Sequence, residues 1–158
     1  MRSSVLHVVG EVVGKQRPRF TTVNGRARSY TPRKTENFES MLRLAYEAQG
    51  GVLHHGPVMV TIAYRRVLPK SRPKRVEWEW DVFKPDIDNV SKSVMDALNG
   101  VAFEDDKCVV QLTVTKLPRT RCAEEELYVR VSEAGNGILR WMEELWQRFT
   151  RLTAPSSR

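Results

Sequence analysis

The stretch Gly56–Leu68, GPVMVTIAYRRVL, constrains the fold more than any other. Val58, Val60, Ile62 and Tyr64 alternate with smaller or more polar neighbours. A period of two is the mark of a strand with one buried face. Such a strand needs partner strands and a covering layer before it is stable, and the rest of the chain offers both. Residues 5–13, VLHVVGEVV, are rich in β-branched side chains and read as a strand. Residues 19–23 and 26–30 read as a hairpin around the Asn24-Gly25 turn pair. CVVQLTVTKL (108–117) and EELYVRVSE (125–133) read as two further strands.

Two segments carry a helical period. Phe38, Met41, Leu42, Ala45 and Tyr46 form a stripe over 32–49, with Thr31 placed to cap, Pro32 at the first position and Gly50-Gly51 at the end. Val90, Val94, Ala97, Leu98 and Val101 sit at helical spacing along a helix expected over 89–99 and just past its end. Between strand and helix lies PKSRPKRVEWEWDVFKP (69–85), basic and broken by prolines, read as a long surface loop. Residues 135–137, GNG, interrupt the chain. ILRWMEELWQRFTRL (138–152) then shows Ile138, Trp141, Met142, Leu145, Trp146 and Phe149 along one face of an amphipathic helix. The expected fold is α+β: a mixed sheet packed by two helices in one domain over 1–134, with a C-terminal helical extension and tail over 135–158.

Composition narrows the function classes. The 158 residues carry 26 Lys and Arg against 19 acids, a formal charge of +7. A basic domain of this size points to a polyanionic partner such as nucleic acid. No apolar run approaches a membrane span, and the first twenty residues lack the features of a secretory leader, so a cytoplasmic protein is expected. Cys108 and Cys122 stand far apart without metal-ligand spacing and are expected to be free, buried thiols.

Against this positive background six acids gather between 86 and 106: Asp86, Asp88, Asp96, Glu104, Asp105 and Asp106, with Lys92 the one base among them. Clustered carboxylates need neutralising, and a hard divalent cation does so, magnesium combining a few carboxylates with waters and substrate phosphates. An acidic metal site in a basic protein makes sense where the substrate is itself a phosphate polymer. If residues 84–88 are extended, Asp86 and Asp88 point the same way. Asp88 precedes the helix and could cap it, and Lys92, four residues on, reaches the same place. Asp105 and Asp106 sit in a turn entering the next strand. Plain caps and turn formers remain the alternative for each, and Asp96 reads as a surface residue. An EF-hand is excluded, because Ser91 and Ala97 stand where that loop needs Gly and Glu.

KPDIDNVSKSVMDALNGVAFEDDKCVV resembles the core of the RusA-type endonucleases, resolvases of Holliday junctions, in its D-x-D-N-x-x-K, D-A-L and following aspartate pair. GKQRPRF and SYTPRKTENFE resemble the phage and Gram-positive branch, and the resemblance spans about residues 5–133. It implies a homodimer that nicks two strands symmetrically across four-way DNA, using magnesium, with manganese as a substitute and no small-molecule cofactor. By motif position, Asp86, Asp88 and Asp106 would bind the metal and Lys92 would be the motif lysine, with Asp105 less directly involved. The helix at 138–152 departs from the usual pattern and is expected to cover the core.

Lys15, Arg17, Arg19, Arg72, Lys74, Arg75 and Lys84 are the candidate nucleic-acid contacts, because phosphate neutralisation needs such groups. Trp78 and Trp80 are expected to pack on the sheet edge rather than wedge against unstacked bases. His7, His54 and His55 have no spacing that suggests catalysis. Two other functions fit the same residues: a silent binder of branched nucleic acid, and a general metal nuclease acting on flaps or duplexes.

Overall fold

Alternating burial along Val58–Arg65 places Val58, Val60, Ile62 and Tyr64 fully inside, as the period of two requires. In the computed structural model, which describes residues 2–23 and 26–135, this strand is β4. It follows β1 (Ser3–Val9), the hairpin strands β2 (Arg19–Val23) and β3 (Arg26–Tyr30), and helix α1 (Arg33–Ala48). After it come the short β5 (Trp78–Glu79), helix α2 (Ile87–Leu98), a 3-10 turn at Asp106–Cys108, β6 (Val109–Lys116), the short β7 (Arg119–Thr120) and β8 (Glu126–Glu133).

The main sheet has the order β1-β8-β4-β6. β8 runs antiparallel to both neighbours, while β4 and β6 are parallel, with Tyr64 opposite Lys116. The sheet is therefore mixed, and α1 and α2 supply the covering layer the strands demanded. Phe38, Leu42 and Tyr46 from α1 and Val90, Val94, Ala97 and Leu98 from α2 meet Leu6, Ile62, Leu127 and Val129 in one core. Burying a side chain of this kind contributes about 1.5–3 kcal/mol.

Several boundaries differ from the sequence reading. The first strand stops at Val9, because Gly10 turns at a φ of +129°, open to glycine, and donates its N–H to the Glu125 carbonyl at 2.9 Å. Val12 and Val13 are buried all the same; their β-branching reflected burial, not strand. α1 begins at Arg33 with Pro32, not Thr31, in the capping position. α2 begins at Ile87, two residues early, with Asp86 in the capping position and Asp88 already in the first turn.

The expected surface loop is not all loop, since Trp78–Glu79 pairs with Arg119–Thr120. Trp78 and Trp80 do not pack on the sheet edge: they stand 56% and 66% exposed. Cys108 and Cys122 are free but only half-buried. The Asn24-Gly25 turn and the helix at 138–152, with the tail after it, lie outside the described residues.

Among the described residues no helix is long and apolar enough to cross a membrane.

Candidate active site

The approach to the paired aspartates is fixed from below. In the run Trp78-Glu79-Trp80-Asp81, alternation sends the tryptophans outward and the acids inward. The Asp81 side chain is 0% exposed. Arg66, just after β4, grips it with two prongs: Nε donates to Oδ2 at 2.8 Å and Nη2 to Oδ1 at 3.1 Å. Arg119 Nε lies 3.1 Å from the same Oδ1, and Lys116 Nζ lies 3.6 Å from it. Three cations around one buried carboxylate offset its desolvation, which an unpaired buried charge could not survive.

The same cations hold the chain beyond Asp81. Arg66 Nη1 donates to the Lys84 carbonyl, and Lys116 Nζ donates to the carbonyls of Phe83 and Pro85. Arg119 lies over the Phe83 ring, 4.4 Å from its centre. Three consecutive carbonyls, across the cis Lys84-Pro85 bond, are thus turned toward one cationic knot. Asp86 emerges directly from this anchored strip.

Asp86 occupies the capping position of α2 with extended backbone, yet its side chain makes no capping hydrogen bond. Its carboxylate is exposed and left for other work. Asp88 is exposed in the first helical turn, and Lys92 Nζ stands 3.5 Å from its Oδ2. Both carboxylates act on the Tyr64 hydroxyl, which is buried and has no hydrogen-bond partner among the described residues. Burial first, then Asp81, with Asp86 and Asp88 adding and Arg66 opposing, pushes that phenol up to about 12.

Asp86 also lines a cleft of about 430 Å³ between residues 11–16 and 84–89. Gly14 makes the two walls meet: a Cβ there would lie 2.7 Å from Pro85 Cβ and 3.1 Å from Asn89 Cβ. Lys15 N–H donates to the Asn89 carbonyl at 2.8 Å. Arg66, Lys34 and Lys84 reach the same cleft.

Three other acids of the sequence cluster have partners of their own. Asp96 pairs with Lys15 at 2.7 Å, and Glu104 pairs with His55 at 2.9 Å. Asp105 caps the 3-10 turn by accepting from Lys107 N–H at 3.0 Å. That bond first, and the adjacent Asp106 carboxyl second, hold Asp105 below the usual carboxylate range. Asp106 is exposed. Among the described residues no three Asp, Glu, His or Cys side chains converge closely enough to hold an ion by themselves.

The donor chemistry nevertheless suits magnesium, which takes one or two carboxylates and completes its shell with waters and substrate phosphates. Asp86 and Asp88 are both exposed carboxylates of that kind, but the alternation expected to turn them the same way does not apply, because Ile87 and Asp88 are already helical. A three-carboxylate cage is not preassembled.

The candidate DNA contacts divide in two. Arg17, Arg19, Lys74, Arg75 and Lys84 are exposed. Lys15 is engaged by Glu39 at 2.6 Å and by Asp96, and Arg72 by Glu79 at 2.8 Å. Asp81, Arg66, Lys116, Arg119, Tyr64 and Gly14 were not singled out as site residues by sequence reasoning. For Asp81 the available signal was the Trp/acid alternation, which puts the acid on the face opposite two aromatics.

The sequence pattern of the family described as Endodeoxyribonuclease RusA matches residues 10–132. The chain is also 35% identical over 118 residues to a protein of Bacillus subtilis (strain 168) described as Uncharacterized protein YqaN, covering 69% of this chain and 83% of that one.

Proposed function

Since the chain belongs to the RusA endodeoxyribonuclease family, we propose that it is a magnesium-dependent endonuclease that resolves four-way DNA junctions by paired, symmetric nicks. It would act as a homodimer in the cytoplasm, in DNA recombination and repair. The observation that carries this reading is the placing of Asp86 and Asp88: two exposed carboxylates on a rigidly held segment, with Asp86 free of capping duty, in a chain of charge +7.

In this reading Asp86, Asp88 and Asp106 would hold the ion, and manganese could substitute. Bound there, such an ion would supply charge stabilisation at the scissile phosphate and lower the pKa of a water. The protein's own groups do the rest. Lys92, beside Asp88, binds a phosphate oxygen and steadies its developing charge. The N-terminus of α2 favours an anion through its free N–H groups and dipole. Arg17, Arg19, Lys74, Arg75 and Lys84 hold the backbone on either side, giving salt-dependent affinity without sequence preference. Lys15 and Arg72 join them if phosphates displace their present carboxylate partners.

The deciding experiment is cleavage of a labelled synthetic four-way junction beside a linear duplex of the same sequence. Wild type and Asp86→Asn are each assayed with magnesium and with EDTA. Paired nicks on the junction alone, lost with EDTA and in the variant, are expected. Equal cutting of the duplex would make the protein a general nuclease. Binding without cutting under any divalent metal would make it a silent binder of branched DNA.

A further inference from the structure

Trp78 and Trp80 pose a separate question. Two large apolar side chains stand 56% and 66% exposed, meeting edge to face with ring centres 6.0 Å apart. Val82 beside them is exposed too. Contiguous exposed apolar surface of this kind marks an interaction site. The tryptophans are not needed to hold the β5–β7 ribbon. Its inner face does that, with Glu79 paired to Arg72 and Arg119, and Asp81 to Arg119.

The surroundings indicate what the aromatic surface meets. Arg121, just past β7, donates to the carbonyls of Val76 at 2.9 Å, Arg72 at 3.2 Å and Pro73 at 2.6 Å. These bonds fix the loop 72–76 beside the ribbon by its backbone and leave Lys74 and Arg75 exposed, as is Lys70 nearby. A partner complementary to this surface combines flat apolar faces with regular negative charge. Duplex DNA has the charge but keeps its base faces stacked inside. A strand with unpaired bases offers both, since bases stack on aromatic side chains while phosphates meet lysine and arginine.

We propose that Trp78 and Trp80 form a stacking platform for unpaired nucleobases, with Lys70, Lys74 and Arg75 gripping the flanking phosphates. The platform would favour DNA that is opened at or near the cutting point over intact duplex. It rests on the reading of the chain as a DNA-acting enzyme and adds the feature of the substrate that is recognised.

The test uses the full chain in EDTA, so that binding is read without cutting. Affinity is measured by fluorescence anisotropy for a duplex and for the same duplex with a central bubble of unpaired thymines. Wild type is compared with the Trp78→Ala/Trp80→Ala double variant and with the corresponding Phe variant, and thermal melting verifies folding. Wild type is expected to prefer the bubble. The alanine variant should lose about tenfold or more on the bubble and less than twofold on the duplex, with the Phe variant keeping most of the preference. Equal losses on both DNAs, or no loss on either, would overturn the platform. Cleavage of a four-way junction in magnesium is assayed separately. Wild-type nicking alongside unchanged bubble binding by the alanine variant would sink the platform alone. Loss of bubble binding in that variant, with no cutting by wild type, would sink the nuclease reading and uphold the platform.

Discussion

Arg66 and Asp81 meet in a two-pronged ion pair at 2.8 and 3.1 Å, buried beneath the segment that delivers Asp86. Deleting one member of a buried pair leaves the other charged and unpaired, at a cost of about 3–5 kcal/mol. Asp81→Ala is the harsher case, because it strands Arg66, Lys116 and Arg119 together. Urea unfolding should show a loss of this size. Arg66→Lys, which keeps the charge and loses the fork, should also be destabilised. A loss below about 1 kcal/mol for Asp81→Ala would show that the knot is hydrated rather than structural.

Asp88 and Lys92 behave differently, since both side chains are more than half exposed at 3.5 Å. Asp88→Asn and Lys92→Ala should each leave stability within about 0.5 kcal/mol of wild type. Both should nevertheless reduce junction cleavage by a hundredfold or more, on the order expected for loss of a group that stabilises transition-state charge. Paired melting curves and single-turnover assays would separate the two effects. Undiminished cleavage in Asp88→Asn would remove Asp88 from the site.

Gly14 lies where a Cβ would press on Pro85 and Asn89. Gly14→Ala has to push the 11–16 segment away from the start of α2, a shift costing about 1–3 kcal/mol. Cleavage should fall with the protein still folded, and Gly14→Val should be worse. Wild-type activity in Gly14→Ala would mean that the cleft wall yields freely.

The Tyr64 hydroxyl is buried without a partner among the described residues. A buried polar group in that state costs about 1–3 kcal/mol, so Tyr64→Phe should unfold at the same urea concentration as wild type or a higher one. A clear loss of stability would reveal a partner for the hydroxyl.

His54 supplies a pH dependence. Its ring is buried, with Nε2 3.1 Å from Ser4 Oγ and Nδ1 4.0 Å from Glu133. Burial holds its pKa below the ordinary 6.5; Glu133 works in the opposite direction, and Arg2 adds to the lowering. The unfolded chain therefore binds the proton first as the pH falls. Stability is complete above about 6.5 and declines as the pH drops through and below that value. Urea midpoints from pH 7.5 to 5 should fall in wild type, and the slope should flatten in His54→Gln. An equal slope in both would assign the effect to other groups.

What the sequence disclosed follows from how local each signal is. The alternation of Val58, Val60, Ile62 and Tyr64 and the stripe of Val90, Val94, Ala97 and Leu98 report burial directly, and all eight are fully buried. The start of α2 was misplaced because Asp88 and Asp86 are equally good capping residues, and position alone decides between them. The knot around Asp81 was illegible for a different reason. Arg66 lies far along the chain from Lys116 and Arg119, and only the sheet topology brings the three to one carboxylate. Trp78 and Trp80 misled in the ordinary direction, since large aromatics are usually buried.

Asp81 also works as a tether. Along the chain, residues 69–76 connect to Asp86 through a residue bound to two neighbouring strand ends. Remodelling of that loop meets this anchor before it meets Asp86. On the proposed function, a protein built this way could alter what it grasps without disturbing where it reacts, and substrate preference and chemistry could diverge between relatives at different rates.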